Sequence, residues 1–167
     1  MARRHGRSGS SLRNSSETAM SNNFYLTVGD NVEFSKTISE TDVYLFAGIT
    51  GDFAPIHVNA EYMSKSAYGQ RLAHGALLVG MMSTTSTMMV ARARQIPGLD
   101  ETPVALGYDR IRFLKPVFFG DTVTVRYHID EVDEEARRTK ATIDISNQRG
   151  EQICVATGLL KWVSKRT

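Results

Sequence analysis

Residues 75–91 contain no charged side chain, and this stretch constrains the fold more than any other part of the sequence. Its first half is apolar almost all round, which is typical of a helix buried on every side rather than of a surface helix. The serine and threonine run at residues 83–87 is unusual there, because each hydroxyl needs a hydrogen-bonding partner or a cavity. We therefore predict a long central helix over residues 74–93, ended by Pro97 and Gly98.

The last third of the chain changes to alternating apolar and polar residues. Four such segments are rich in β-branched side chains, which is typical of half-buried strands. Turn-forming residues separate them, so antiparallel hairpins are expected. The predicted strands cover residues 104–114, 121–133, 137–147 and 152–163.

Shorter elements precede the central helix. Residues 28–38 are predicted to form a first strand, and Ser39 is suited to be the N-cap of a helix over residues 40–48. Residues 50–58 are interpreted as a loop, after which Asn59 is expected to cap another short helix. This order predicts an α+β fold in one domain, with an antiparallel β-sheet wrapped around one long central helix.

The basic charge is concentrated at the N-terminus. The chain of 167 residues has a net charge of +2, and residues 1–20 hold four arginines against one glutamate. We predict a disordered Arg- and Ser-rich tail at residues 1–22 and a folded domain at residues 23–167, with no nucleic acid as partner. Two alternatives for the tail are an extension upstream of a natural start at Met20 and a mitochondrial transit peptide.

The amino-acid composition also bears on the cellular compartment of the protein. The single cysteine, Cys154, excludes an intrachain disulfide and a cysteine-built metal site, and its apolar surroundings predict a small buried side chain. No uncharged apolar run approaches the roughly 18 residues needed to span a bilayer. We therefore expect a cytoplasmic protein with no membrane partner, and mitochondrial import through the tail is the alternative.

The chemistry is expected in the loop at residues 51–57, which reads GDFAPIH. A glycine and a proline shape this loop, so that Asp52 and His57 can face one point. The loop precedes the central helix, whose first N–H groups lack intrahelical acceptors. A carboxylate and an imidazole beside a helix N-terminus can form an acid–base site with an oxyanion hole. Taken separately, Asp52 could stabilise a turn, and His57 could be a buried structural histidine.

At these residues the sequence resembles the MaoC-like family, the (R)-specific enoyl-CoA hydratases. The family pattern is approximately G-D-x-N-P-x-H, followed by an H-G that opens the central helix, and this chain has His74 and Gly75 at that point. The resemblance covers most of residues 26–163 and includes KPVFFGD at residues 115–121. It implies the hotdog fold, which is the arrangement of sheet and central helix predicted above.

The resemblance also implies an activity. Family members reversibly add water to a trans-2-enoyl-thioester and give the (R)-3-hydroxyacyl-thioester. Asp52 and His57 match the pair that activates one water, which supplies hydroxide to C3 and a proton to C2 on the same face. Gly75 matches the backbone amide that donates to the thioester oxygen. Ser83 matches a polar residue that supports the site, and a plain hydrogen bond within the helix is the alternative for it. No metal or redox cofactor is expected, because the thioester is the electron sink.

Other side chains near the motif have two explanations each. Tyr44 and Phe53 are expected to contact the substrate around the reacting carbons, or only to pack beside the site. His74 is expected to fix the loop ahead of the helix rather than to take part in catalysis. A contact with the phosphates of coenzyme A, or simply a solvated strand face, would explain three basic side chains: Arg110, Arg112 and Lys115.

One residue departs from the family pattern. Ala54 occupies the position of the motif asparagine, whose side chain is expected to hydrogen-bond the catalytic water. A non-catalytic acyl-thioester-binding or partner subunit is therefore the second hypothesis, and a hotdog thioesterase is the third. The resemblance further implies at least a homodimer, and the absence of a second domain favours a short acyl-CoA substrate.

Overall fold

The computed structural model describes residues 24–165, so the predicted tail at residues 1–22 lies outside it. The helices and strands of the described part are, in chain order, β1 (Asn31–Thr37), α1 (Glu40–Thr50), α2 (Pro55–Val58), α3 (Ala60–Ser64), α4 (Gly75–Ala91), β2 (Glu101–Phe113), β3 (Thr122–Asp133), β4 (Arg138–Asn147) and β5 (Gln152–Ser164).

One antiparallel sheet contains the five strands in the order β1-β3-β4-β5-β2. The register places Phe34 and Ile145 on either side of Val125, so side chains of one sheet face form continuous rows. The buried rows consist of β-branched and aromatic residues that face the helix, because alternation puts the polar residues on the other face. The four predicted strands of the last third are confirmed.

The central helix α4 packs against this sheet and contacts β1, β3 and β2. Leu78, Met82 and Met89 are buried on the sheet side. The opposite side is exposed and carries only small residues, namely Ala76, Gly80, Ser83, Thr84, Thr87 and Ala91. The predicted central helix is confirmed, but its expected burial on every side is wrong for the single chain, because the sheet covers one side only.

The hydroxyl groups of residues 84–87 in α4 donate to carbonyls of the helix itself. Thr85 and Ser86 both donate to the carbonyl of Met82, at 2.8 and 3.1 Å. Thr87 donates to the carbonyl of Ser83 at 3.2 Å. This pattern satisfies buried hydroxyls inside a helix without a separate cavity.

The expected cap of α1 is present. The Asp42 N–H donates to Ser39 Oγ at 3.2 Å, and the Ser39 N–H donates to Asp42 Oδ2 at 2.8 Å, which is a capping box. The helix ends at Gly51, which adopts a left-handed conformation with φ of 80°. That conformation reverses the chain immediately before the predicted catalytic loop.

The segment ahead of the central helix differs from the sequence prediction in two places. Residues 50–58 are not a loop throughout, because α2 occupies Pro55–Val58 and proline suits the first helical position. The first strand begins at Asn31 rather than at residue 28, because the chain turns at Gly29, whose φ is 96°.

Two expectations from the composition concern Cys154 and membrane-spanning helices. Cys154 is buried, as predicted. Within residues 24–165, no helix is long and apolar enough to cross a bilayer.

The packing of β5 against β3 and β4 predicts a strict size limit at Gly158. A Cβ there would lie 2.9 Å from Tyr127 Cε2 and 3.0 Å from Ile143 Cδ1. Gly158→Ala should therefore lower the free energy of unfolding by about 1–3 kcal/mol through overpacking. Gly48→Ala is the control, because a Cβ on that exposed residue of α1 meets nothing within 4 Å. If urea unfolding gives Gly158→Ala and Gly48→Ala the same free energy of unfolding, this tight packing around Gly158 is contradicted.

Candidate active site

The loop after α1 brings Asp52 next to the start of α4. The backbone carbonyl of Asp52 accepts a hydrogen bond from His74 Nε2 at 2.9 Å, and the Ala54 N–H donates to Asp52 Oδ1 at 3.2 Å. The Asp52 side chain remains 52% exposed. These bonds hold the aspartate at the protein surface with its carboxylate open to water.

His57 lies on α2 and is almost fully buried. Its Nδ1 is 2.8 Å from the carbonyl oxygen of Leu72. A carbonyl only accepts, so Nδ1 carries the hydrogen, and Nε2 of the neutral ring keeps its lone pair. The Leu72 carbonyl thereby selects the tautomer in which Nε2 can accept a proton.

The two groups are close enough to share one water molecule. A carboxylate oxygen of Asp52, a ring nitrogen of His57 and a ring nitrogen of His74 all lie within 4.8 Å of one another. A single water bridges two polar atoms over such a span, because each hydrogen bond covers about 2.8 Å. The predicted pair of Asp52 and His57 is therefore brought together.

The same three side chains fit a metal ion poorly. The rings of His57 and His74 are stacked, with centroids 3.7 Å apart and planes at 27°. An ion bound through ring lone pairs has to lie near the planes of both rings, which nearly parallel rings do not allow. His57 Nδ1 and His74 Nε2 also already donate to carbonyls. The expectation of no metal stays a prediction that agrees with this geometry.

A cavity of about 420 Å³ opens beside the two imidazoles and the start of α4. Its walls are mainly apolar and include Ile56, Leu72, Leu78, Phe113 and Val117. His57, His74 and Gly75 also line it. Asp52 does not line the cavity but adjoins it through His74, whose Nε2 is 3.8 Å from Asp52 Oδ2.

Gly75 is the first residue of α4, so its N–H has no acceptor within the helix. A Cβ at this position would lie 3.0 Å from Cε2 of the Phe113 ring. Glycine therefore lets the aromatic ring approach the helix start, where the backbone N–H groups and the helix dipole favour negative charge.

Three other predicted site residues lie outside the cavity lining. Tyr44 is 41% exposed, and its hydroxyl accepts from Arg71 Nη1 at 2.8 Å. Phe53 is exposed in the loop next to Asp52. Ser83 is exposed on α4, two turns and about 12 Å beyond Gly75. The single chain thus does not bring these side chains together with the cavity.

Of the three predicted phosphate-binding residues, only Lys115 lines the cavity. Arg110 adopts φ of 53° in an irregular part of β2, and Arg112 donates to the carbonyl of Ile111 at 2.8 Å. Both arginines are exposed, and neither forms an ion pair within residues 24–165. Their side chains remain available, while Lys115 Nζ is 2.8 Å from Glu151 Oε1.

A polar network behind Lys115 escaped the sequence analysis. Glu151 also accepts from Asn147 and Arg149, and Arg149 reaches on to the buried Asp121 at 2.9 Å. The hydrogen bonds from Lys115, Asn147 and Arg149 lower the pKa of Glu151 to about 2. The network ties the cavity wall after β2 to the β4–β5 turn. The only sequence signal for this network was the charged residues of the KPVFFGD segment, and the sequence did not indicate which residues they bind.

Comparisons with known proteins identify a family. A model described as "MaoC like domain" matches residues 23–149. An (R)-specific enoyl-CoA hydratase from Rhodospirillum rubrum is 34% identical over 120 residues, which are 69% of this chain and 76% of that protein. A 3-hydroxybutyryl-CoA dehydratase from Methylorubrum extorquens is 32% identical over 69% of this chain and 68% of its own length.

Solved structures share the fold. The (R)-hydratase from Aeromonas caviae superposes with a TM-score of 0.70 at 27% identity, over 81% of this chain and 96% of that chain. A monoamine oxidase regulatory protein from Archaeoglobus also gives 0.70, at 26% identity over 86% and 95% of the two chains. The predicted α+β hotdog fold is confirmed.

The network behind the cavity predicts an acid-sensitive contribution to stability. Burial raises the pKa of Asp121, but hydrogen bonds from the Phe118 N–H, Gln148 and Arg149 outweigh it and hold the pKa below its usual value. A carboxyl group whose pKa is lowered by folding stabilises the folded state fully at pH values above its unfolded-state pKa of about 4. This stabilisation is lost as the pH falls through the lower pKa of the folded state. Asp121→Asn should therefore cost about 2 kcal/mol at neutral pH and progressively less in acid.

Urea unfolding of both proteins along a pH series measures this difference. Asp109→Asn, at an exposed carboxylate of β2, is the matched control and should show a small difference that does not change with pH. A difference between Asp121→Asn and the parent that stays constant down to pH 3 would contradict the assignment.

Proposed function

The chain belongs to the MaoC-like dehydratase family, and on that premise we propose that it reversibly hydrates trans-2-enoyl-CoA to (R)-3-hydroxyacyl-CoA. The observation that carries the proposal is the approach of Asp52 and His57 to within one water's span, beside the free N-terminus of α4. An acid–base pair and an oxyanion site are the two requirements for adding water to a conjugated thioester.

In the proposed reaction, one water lies between the Asp52 carboxylate and His57 Nε2. His57 Nε2 takes a proton from the water as its oxygen bonds to C3, and the C2–C3 double bond shifts its electrons toward the thioester oxygen. The proton is then delivered to C2, so that the elements of one water add across the double bond. Because both transfers start from one water position, both occur on the same face of the substrate.

Gly75 is proposed to stabilise the charge that develops in this step. Its N–H donates to the thioester oxygen, which becomes enolate-like as C3 is attacked. The dipole of the 17-residue helix α4 adds to this donor. Loss of one such donor typically costs about 10²-fold or more in rate.

The substitution at Ala54 bears directly on the placement of the water. Ala54 offers no side-chain donor, but its N–H bonds Asp52 Oδ1 at 3.2 Å, so the carboxylate keeps a backbone partner. We propose that Asp52, together with His57, suffices to hold the water. A non-catalytic acyl-thioester-binding subunit is the second candidate, and the absence of the asparagine favours it.

The cavity favours a short acyl group. Its volume of about 420 Å³ has to accommodate the reacting carbons and part of the thioester arm, and its apolar lining includes Phe113 and Leu78. Lys115 stands at this cavity as a candidate contact for the coenzyme A moiety, and the exposed Arg110 and Arg112 are candidates for its phosphates.

A second copy of the chain is the proposed partner. Strand β2 lies at the edge of the sheet and pairs only with β5 among the described strands. It exposes Val104, Leu106 and Phe113, and the chain continues with the half-exposed Leu114. An apolar strand edge is a pairing surface that proteins cover or blunt. We propose that two copies join along β2, which also brings the small-residue side of α4 close to the partner.

The proposed dimer predicts the effect of a charge on this edge. Leu106 is 49% exposed and has no partner in the β5 register. Leu106→Glu should shift the protein to a monomer in sedimentation experiments, because the charge would be buried at the contact. Val28→Glu, at a residue 62% exposed in the N-terminal turn, should leave the assembly unchanged. A parent protein that sediments as a monomer at every concentration would contradict the dimer.

The catalytic pair predicts the outcome of two substitutions. Asp52→Asn and His57→Gln should each lower the hydration rate of crotonyl-CoA by on the order of 10²–10⁴-fold while the protein remains folded. The loss of the enoyl-thioester absorbance measures the rate. Glu134→Gln removes a carboxylate in the exposed β3–β4 turn and should have no effect.

The same assay separates the other candidate functions. Full turnover in Asp52→Asn would contradict the assignment of the pair. Release of free coenzyme A, followed with a thiol reagent, would identify a thioesterase. Binding of enoyl-CoA without turnover in the parent protein, for short, longer and branched acyl groups, would identify the non-catalytic subunit.

A further inference from the structure

His74 touches both members of the proposed catalytic pair. Its Nε2 lies 2.9 Å from the Asp52 carbonyl oxygen and 3.8 Å from Asp52 Oδ2, and its ring stacks on His57 with centroids 3.7 Å apart. Phe46 lies on the same ring at a centroid distance of 4.9 Å. A role limited to fixing the chain ahead of α4 does not account for these contacts.

The hydrogen bonds define the state of the His74 ring. The Asp52 carbonyl only accepts, so His74 Nε2 carries a hydrogen and donates it. His74 Nδ1 is buried and has no hydrogen-bond partner within residues 24–165. A hydrogen on Nδ1 would be a buried donor without an acceptor, which is costly. The geometry therefore points to the tautomer with its single hydrogen on Nε2.

Neither ring nitrogen of His74 is available to the substrate. Nε2 is occupied by the Asp52 carbonyl, and Nδ1 has no access to solvent although the ring lines the cavity. His74 therefore cannot exchange a proton with a bound acyl group. Its effect on the reaction has to pass through the two side chains that it contacts.

We propose that His74 is a positioning residue that sets the geometry of the Asp52–His57 pair, an inference that rests on the hydratase function proposed above. Its Nε2–H fixes the backbone of Asp52, so that the carboxylate stays within one water's span of His57. Its ring face, which Phe46 supports from α1, keeps the His57 ring in the plane in which Nδ1 meets the Leu72 carbonyl. Misplacement of a reacting group by about 1 Å can cost 10²-fold in rate.

Two substitutions separate this role from a structural one. His74→Gln keeps an N–H donor at nearly the reach of Nε2, whereas His74→Leu keeps the size and removes the donor. With crotonyl-CoA, His74→Leu should lower kcat by on the order of 10²-fold with little change in KM, because the substrate contacts remain. His74→Gln should recover at least about tenfold of that loss, because it restores the bond to Asp52.

A spectroscopic measurement tests the positioning without relying on activity. The ring ¹⁵N signals of the parent protein should show the hydrogen on Nε2 of His74 and on Nδ1 of His57. In His74→Leu, the His57 signals should move to a mixture of tautomers, and in His74→Gln they should stay close to the parent. If His74→Leu fails to fold, the ring tautomers of the parent protein and of His74→Gln still test the placement of the two rings.

The outcomes are distinguishable. A parent protein without hydratase activity overturns the proposed function, and the ¹⁵N signals then still test the placement of His57 by His74. The positioning role is overturned by a His74→Leu variant with parental kcat, by a His74→Gln variant as slow as His74→Leu with unchanged His57 signals, or by a hydrogen on Nδ1 of His74 in the parent.

Discussion

The packing of α4 against one antiparallel sheet is the constraint on which the rest of the structure depends. The buried Leu78, Met82 and Met89 fix the helix to the sheet, because removing such apolar area from water is the main stabilising effect in a domain of this size. The helix start is therefore held at one end of the sheet, where Gly75 presents a backbone N–H without an intrahelical acceptor. The loop after α1 meets this point and adds the carboxylate of Asp52, and α2 adds the imidazole of His57.

Backbone carbonyls, rather than acidic side chains, orient the two imidazoles of the site. Leu72 holds His57 and Asp52 holds His74, each through a ring nitrogen that has to donate. A carbonyl fixes a tautomer without adding a negative charge beside the ring. The proposed base therefore keeps its lone pair on Nε2, and in the proposed reaction the exposed Asp52 carboxylate is the negative group that meets the water.

The sequence predicted the strands, the central helix and the caps at Ser39 and Asn59, because these follow from periodicity and local hydrogen bonding. It also predicted that Asp52 and His57 meet. It did not predict the exposed side of α4, because the sequence pattern does not show which side the sheet leaves open. The link from Lys115 to Glu151 and the stack of His57 on His74 also escaped prediction, because tertiary packing alone brings these residues together.

The stereochemical course of hydration tests the central claim most directly. Crotonyl-CoA is incubated with the protein in deuterium oxide, and the product is analysed by chiral chromatography and NMR. The proposed hydration predicts (R)-3-hydroxybutyryl-CoA, and a single water between Asp52 and His57 predicts that the hydroxyl group at C3 and the deuterium at C2 are added to the same face. An (S) product, or deuterium on the face opposite the hydroxyl group, would contradict the account.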